Sequence, residues 1–270
     1  MIKLNIMYFS PTSTTKKVLE EIGKQLFEKS DIEIGEVIDF TLPKQRLNGQ
    51  SFNSNDILLI GIPVYAGRVP NILLSYLNTI KGDKTLVIPV VVYGNRHYDD
   101  ALIEFNDILT LNGFKVIAGG AFIGEHSFSK ILAKDRPDGK DLSIGRDFAD
   151  MISKKISEED FAKIEVKGNR PYRPYYMPKN KDDKPVDIRK VKPKTNDNCI
   201  DCKLCAEVCP MGSISYDDVS KMIGICIKCC ACVKFCPTEA KFFDDSDYIR
   251  HKRELEEQCG VRREPEVFVI

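Results

Sequence analysis

Residues 2–15 read Ile2-Lys3-Leu4-Asn5-Ile6-Met7-Tyr8-Phe9-Ser10-Pro11-Thr12-Ser13-Thr14-Thr15. The first eight are mostly apolar and suit a buried strand. Lys16–Lys29 follows with Val18, Leu19, Ile22, Leu26 and Phe27 at helical spacing. Five hydroxyls in six positions (Ser10, Thr12, Ser13, Thr14, Thr15) therefore lie between a strand and the helix it feeds. Free N–H groups and the positive end of a helix dipole meet there, and anions bind. Hydroxyls without a lysine suit a phosphomonoester held by neutral donors. A triphosphate loop would read G-x4-G-K-[ST]. The plainer alternative is a Ser/Thr helix cap, but a cap needs far fewer hydroxyls.

Working outward, Glu33–Phe40 is expected as a second strand, and Pro43–Asn55 as a polar connection. Asp56–Ile62 is a continuous apolar run, as in a central parallel strand covered on both faces. It ends in the turn Pro63-Val64-Tyr65-Ala66-Gly67-Arg68-Val69-Pro70, and a helix begins at Ile72–Leu77. Thr85–Val92 is another buried strand, ending in Tyr93-Gly94-Asn95-Arg96-His97-Tyr98. Asp99–Asn112 reads as a helix stopped by Gly113. Phe114–Ile123 is the fifth strand, ending in Gly124-Glu125-His126-Ser127-Phe128, and Asp141–Ile156 closes as a helix. Strands alternating with helices imply an α/β doubly wound parallel sheet.

The hydroxyl loop resembles the flavodoxin phosphate loop, T/S-x-T-G-x-T, which grips the FMN phosphate. The match departs at Ser13, where that family has glycine. The resemblance implies a flavodoxin-like five-stranded sheet of order 2-1-3-4-5, with ligands at the carboxyl ends of the strands. It implies FMN held by Ser10, Thr12, Ser13, Thr14 and Thr15 at the phosphate. Pro63, Val64, Tyr65, Ala66, Gly67 and Arg68 would line one side of the ring, and Tyr93, Gly94, Asn95 and Tyr98 the other. Tyr65 or Tyr98 could stack on the ring, or each could simply pack. His97 and His126 fall on the same edge. They read as surface residues or as proton donors to flavin chemistry. Arg68 and Arg96 could balance a reduced anionic flavin or merely be solvated.

Eight of the ten cysteines sit in two copies of one spacing. Cys199-x2-Cys202-x2-Cys205-x3-Cys209-Pro210 recurs 27 residues on as Cys226-x2-Cys229-x2-Cys232-x3-Cys236-Pro237. Three thiolates two residues apart wrap one 4Fe–4S cube, and the fourth is carried to the other cube. One set is thus Cys199, Cys202, Cys205 and Cys236; the other is Cys226, Cys229, Cys232 and Cys209. Structural zinc would use pairs of Cys-x2-Cys, and a disulfide framework does not suit a chain of this size and charge. The segment resembles the bacterial two-cluster ferredoxin module. Cys230 reads as a buried spectator thiol and Cys259 as a free one.

Residues 160–195 hold eleven Lys/Arg against five Asp/Glu, whereas 196–250 hold six against nine. The prolines from Pro171 onward favour a semi-rigid spacer. The basic stretch reads as a linker lying along the acidic module, with the tyrosines and Met177 fastening it; a nucleic-acid arm is the other reading. Four regions are expected: 1–157 flavodoxin-like, 158–195 linker, 196–245 dicluster ferredoxin-like, and 246–270 a charged tail. The tail holds a polar helix at Asp247–Gln258 and an apolar end, Val267–Ile270, that can dock elsewhere.

The 270 residues carry 40 basic and 40 acidic side chains, so no global field points to nucleic acid. The longest apolar runs fall far short of the roughly 20 residues of a membrane helix. Thiols with no secretion signal suit the cytoplasm. As a whole the chain resembles the ferredoxin-containing flavoproteins of anaerobes labelled EFR1-family proteins. The resemblance implies FMN, two [4Fe–4S] clusters, and electron relay to a protein redox partner. Alternatives are a reductase acting on a small substrate at the flavin, with His126 or His97 supplying protons, and an iron–sulfur sensor binding nucleic acid. No G-x-G-x-x-G follows any strand, so no nicotinamide site is read.

Overall fold

In the computed structural model, which describes residues 2–182 and 184–269, the strands follow the apolar runs closely. They are β1 (Lys3–Tyr8), β2 (Glu33–Asp39), β3 (Asp56–Pro63), β4 (Leu86–Tyr93) and β5 (Gly119–Ile123). All five pair in parallel, in the order β2-β1-β3-β4-β5. This is the doubly wound flavodoxin-like order. Side chains alternate along each strand between two apolar layers. Leu4, Tyr8, Ile57, Leu59, Ile88 and Val90 pack beneath α1 (Thr14–Lys29) and α4 (Gly139–Ser157). Met7, Phe9, Leu58, Ile60, Val87 and Val91 pack against the helix α2 (Leu74–Leu77) and α3 (Ala101–Leu111) on the other face.

Two departures matter. The expected strand Phe114–Ile123 is broken: Lys115–Val116 pairs with Leu86–Val87, and pairing with β4 resumes only at Gly120, opposite Val90. A sixth strand, β6 (Glu266–Phe268), comes from the chain's far end and runs antiparallel to β5, with Val267 opposite Gly120. It covers an edge that would otherwise present unpaired N–H and C=O groups.

The cysteine-rich region is a small unit with its own ladder, Lys194–Thr195 against Lys241–Phe242. Two one-turn helices, α5 (Leu204–Glu207) and α6 (Ala231–Lys234), follow the cysteine turns. The helix α7 (Ser246–Gln258), capped by Asp245 through the Tyr248 amide, leads back to β6.

Candidate cofactor sites

The internal repeat of the cysteine region is geometric as well as sequential. Asp201, Lys203 and Gly212 have positive φ, and so do Lys228, Cys230 and Glu239, each 27 residues on. Two left-handed residues within each triplet coil the backbone into a turn that points three cysteines inward. After each Cys-Pro, a later amide returns to the sulfur: Ser213 N–H donates to Cys209 Sγ (3.3 Å) and Ala240 N–H to Cys236 Sγ (3.1 Å). N–H bonds to sulfur favour thiolate over thiol.

The eight cysteines surround two cavities in crossed sets. One is lined by Cys199, Cys202, Cys205 and Cys236, with Val219 and Leu204 as apolar wall. The other is lined by Cys209, Cys226, Cys229 and Cys232, with Cys230, Ile214, Met222 and Phe243 beside them. Burial pushes the Cys229 and Cys232 thiols well up. At Cys236 burial also pushes up, but the surrounding amides and Thr238 outweigh it and the thiol is net lowered. All ten cysteines are free of disulfides. Among the described residues, no three His, Cys, Asp or Glu side chains converge on a point that a single ion could occupy. The donors ring two spaces, a set of thiolates fitted to a polynuclear iron–sulfur group.

The second cavity is the inner one. Arg46 Nη2 donates to the Pro210 carbonyl (2.6 Å) while its Nη1 holds Phe40 O (2.8 Å), and Ile227 packs on the sheet's core. The Tyr65 hydroxyl is pushed well up by burial, then by the thiols of Cys229, Cys230 and Cys226. The first cavity lies outward, with Cys202 exposed and Ile200 65% exposed beside it.

At the hydroxyl loop, Ser13 has φ 64, so it takes the conformation glycine would take at small cost. Ser13, at the cap position of α1, makes no side-chain cap, and the one first-turn amide taken by a side chain is that of Lys16, among the described residues. Ser10 is committed on both sides, its amide donating to Thr41 Oγ1 (2.9 Å) and its hydroxyl accepting from Lys16 N–H (3.0 Å). Lys17 Nζ is drawn away to the Pro137 carbonyl (2.8 Å). Thr15 is buried, and its Oγ1 has no hydrogen-bond partner. A helix start whose cap residue Ser13 makes no side-chain bond and an orphaned hydroxyl at Thr15 fit a phosphate monoester.

Residues 193–215 match the family model described as "4Fe-4S binding domain"; the match takes in Cys199, Cys202, Cys205 and Cys209. No curated protein matches the chain. Among solved structures, similarity runs to a flavodoxin from the domain Archaea (14% identity, TM-score 0.41, over 58% of this chain and 99% of that one). A Streptococcus pneumoniae flavodoxin is similar at 14% identity and TM-score 0.40, over 57% of this chain and 99% of its own. So is rubredoxin oxygen:oxidoreductase from the anaerobe Desulfovibrio gigas (14%, 0.41, 58% of this chain and 36% of that one).

The chain joins a flavodoxin-like sheet to a 4Fe-4S binding domain.

Around the sheet's carboxyl edge the loops are interlocked. A Cβ on Gly67 (φ 78) would come 2.2 Å from Asp99 Oδ2, and one on Gly94 would come 2.5 Å from His126 Cδ2. Both positions therefore need glycine. Pro63 ends β3, and Val64 N–H continues the ladder to Val92 O (2.8 Å). Tyr65 and Ala66 stand at the tip of the turn, with Tyr65 bridged to Arg68.

Several expected ring contacts are corrected. Tyr93 and Tyr98 are buried in the sheet core with ring centroids 5.6 Å apart. The Tyr98 hydroxyl meets Glu266 of β6 (3.1 Å). Tyr98 is thus a packing residue, and Tyr65 is the tyrosine left at the loop. The Asn95 side chain is spent on the tail, donating to Cys259 O (2.6 Å) and Val261 O (2.9 Å). Arg68 forms a forked pair with Glu104 (2.7 Å for each bond) and Arg96 pairs with Asp99, so neither is merely solvated.

The histidines also differ from the reading. His97 stacks on Tyr98 (5.0 Å) and its Nδ1 accepts the Asp99 amide. His126 is not a surface residue. Its Nδ1 accepts Phe128 N–H (3.1 Å), and burial lowers its pKa to about 3, helped by His251, Lys234 and Arg96. Held neutral, it is a poor reservoir of protons near neutral pH. Sequence reasoning missed His251, Tyr248 and Phe128. Tyr248 Oη lies 3.5 Å from Cys230 Sγ, Phe128 packs on Tyr248 (4.8 Å), and His251 stacks on Tyr176 (5.7 Å). The burial of Tyr248, His251 and Leu255 on one face of α7 is the only signal that could have found two of them.

Among the described residues, Arg170 and Arg173 of the linker pair with acids of the sheet domain. Arg170 forks onto Asp107 (2.8 and 2.5 Å), which also accepts the Tyr172 hydroxyl (2.6 Å). Asp100 takes the amides of Asn169 and Arg173, and Arg68 lies over both Tyr172 and Tyr175. Lys194 to Asp244 (2.9 Å) is an ion pair the linker makes with the cysteine unit. The linker is fastened to α3 because acids at that helix's start and outer face, Asp99, Asp100 and Asp107, lie within its reach. Met177 is exposed.

Proposed function

We propose that this protein is an electron carrier holding FMN at the sheet's carboxyl edge and two [4Fe–4S] clusters in the cysteine unit. One cluster is held by Cys199, Cys202, Cys205 and Cys236, the other by Cys226, Cys229, Cys232 and Cys209. The observation that carries the reading is the crossed lining of two cavities by these sets. Flavin exchanges one or two electrons and each cubane one, so the combination supplies storage and single-electron release. The chain's own residues order the path. The Arg46–Pro210 bond seats the inner cavity beside the Phe40–Thr41 turn, which also holds Ser10 of the hydroxyl loop. The outer cavity, with Cys202 and Ile200 exposed, is where a protein redox partner would meet it.

A carrier is favoured over a reductase because the flavin loops are covered. Tyr176 N–H donates to Ala66 O (2.9 Å), and α7 lies over the 124–128 loop through Phe128 and Tyr248. A nucleic-acid sensor is disfavoured by the engagement of Arg170, Arg173 and Lys194 with acids of the same chain. Among the described residues, no helix is long and apolar enough to cross a membrane; a cytoplasmic setting and membership in the EFR1 family belong to the same proposal.

The test is anaerobic purification with iron, sulfide and flavin counts. Roughly eight irons per chain are expected from two four-iron clusters, with one flavin. A colourless zinc protein would overturn the reading.

A further inference from the structure

Among the described residues, three buried side-chain atoms have no hydrogen-bond partner: Thr15 Oγ1, Tyr76 Oη and His251 Nδ1. A buried polar atom left unpaired is expensive, and it commonly marks a missing partner. Tyr76 lies in the sheet core against Phe40 (5.2 Å). The other two stand on the carboxyl edge, and one loop runs between them. Gly124 begins that loop pressed on Thr14, where a Cβ would come 2.9 Å from Thr14 Cβ. His126 follows, with its ring edge-on to Phe128 (5.3 Å), and Phe128 in turn meets His251 (6.3 Å, edge-on). On its other side His251 stacks on Tyr176, whose amide holds Ala66 of the 63–68 turn.

The side chains around His251 leave Nδ1 unsatisfied. Glu254 Oε2, on the same helix, is 3.8 Å away, beyond hydrogen-bond reach, and its other oxygen holds Arg250 (2.6 Å). Arg96, from the loop after β4, is taken by Asp99 and lies over Tyr176. His126 spends its Nδ1 on the Phe128 amide.

We propose that His251, on the helix beyond the cysteine unit, binds the polar edge of the flavin ring through Nδ1, while Thr15 holds the phosphate of the same molecule. The inference rests on the flavin reading above. An imidazole nitrogen can donate or accept, and the edge of an isoalloxazine offers ring nitrogens, carbonyl oxygens and an imide N–H. The flavin site is then completed by a residue outside the sheet domain, which ties flavin retention to docking of the iron–sulfur unit.

The experiment compares FMN with riboflavin, which lacks the phosphate, on the flavin-depleted full chain, read by quenching of flavin fluorescence. Thr15→Val should weaken FMN about ten-fold and leave riboflavin unchanged, the scale of one hydrogen bond to a charged group. His251→Leu should weaken both ligands by a similar factor, and His251→Gln, which keeps a hydrogen-bonding head, should recover most of the loss. In the wild-type chain, histidine ring 15N signals assigned with His251→Gln should shift on adding riboflavin, a readout that does not depend on the leucine variant folding. Unchanged riboflavin affinity in His251→Leu with its iron content intact, or a motionless His251 signal, overturns the proposal. A wild-type chain that binds neither flavin overturns the flavin reading itself.

Discussion

The thiol of Cys230 lies 3.5 Å from the hydroxyl of Tyr248, and both residues are buried. Cys230 occupies the left-handed position that Lys203 holds in the first motif; it stands on the wall of the inner cavity with Cys229 and Cys232, and its thiol reaches the Tyr248 hydroxyl of α7. Cys230→Ser keeps a group able to bond Tyr248 and should retain the full iron content, with stability within about 1 kcal/mol of the wild type. Cys229→Ser should lose a cluster. Iron and sulfide counts with chemical denaturation check both.

The crossed sets make a second prediction. Cys236→Ala should remove the cluster of Cys199, Cys202 and Cys205, although Cys236 belongs to the other motif; Cys209→Ala should remove that of Cys226, Cys229 and Cys232. Electron paramagnetic resonance of the reduced variants should show one surviving signal each. The survivors should group as Cys236→Ala with Cys202→Ala, and Cys209→Ala with Cys226→Ala.

His126 sets a pH dependence. Its folded pKa is lowered from 6.5 to about 3, chiefly by burial, so between those values the unfolded chain binds a proton that the folded one refuses. Stability is full above pH 6.5 and falls as pH drops toward 3. Urea denaturation from pH 7.5 to 5 should show that slope in the wild type. His126→Gln should reduce that slope, leaving the part contributed by His97 and His251, whose pKa values burial also lowers.

Glu104 is 4% exposed, forks onto Arg68, and also accepts Val69 N–H (2.9 Å). Removing one partner of such a pair strands the other, so Glu104→Ala should cost about 3–5 kcal/mol. Because Arg68 also donates to the Arg173 carbonyl (2.5 Å), the variant should expose the linker near residue 173 to limited proteolysis. Unchanged cleavage there would show that the linker is held by Asp100 and Asp107 alone.

Asn95 fastens the tail, its amide donating to Cys259 O and Val261 O while its Oδ1 accepts Arg263 N–H (3.2 Å). Asn95→Ala should cost about 2 kcal/mol through unmet buried groups. It should also raise amide exchange across 259–268, detaching β6 before the rest of the sheet. Exchange confined to the loop at 95 would argue that β6 is held by its ladder alone.

Much of this was legible because it is local. An apolar run of strand length, five hydroxyls ahead of a helix, and cysteines stepping by two and three residues each carry their geometry in a short stretch. The crossing of Cys209 and Cys236 follows from chain reach around a small turn. Tyr98 was left open between stacking and packing, and His126 was read as a surface residue or a proton donor, because nothing near them in the chain indicates distant groups such as Glu266 of β6 at the Tyr98 hydroxyl, or His251 and Lys234, which after burial lower the His126 pKa.

The sequence by itself determined the alternation of strands and helices, the hydroxyl loop and the paired cysteine turns, since periodicity and spacing act over a few residues; the order of the strands was implied only by the resemblance to flavodoxins. Only the tertiary structure decided that the tail returns as an antiparallel strand, that the linker's arginines settle on Asp107 and Asp99, and that the second motif's cavity is the one Arg46 ties to the sheet domain. Those outcomes depend on which surfaces a folded sheet leaves unpaired. A three-residue strand or a lone buried histidine carries no pattern until a distant partner supplies its hydrogen bonds and its burial.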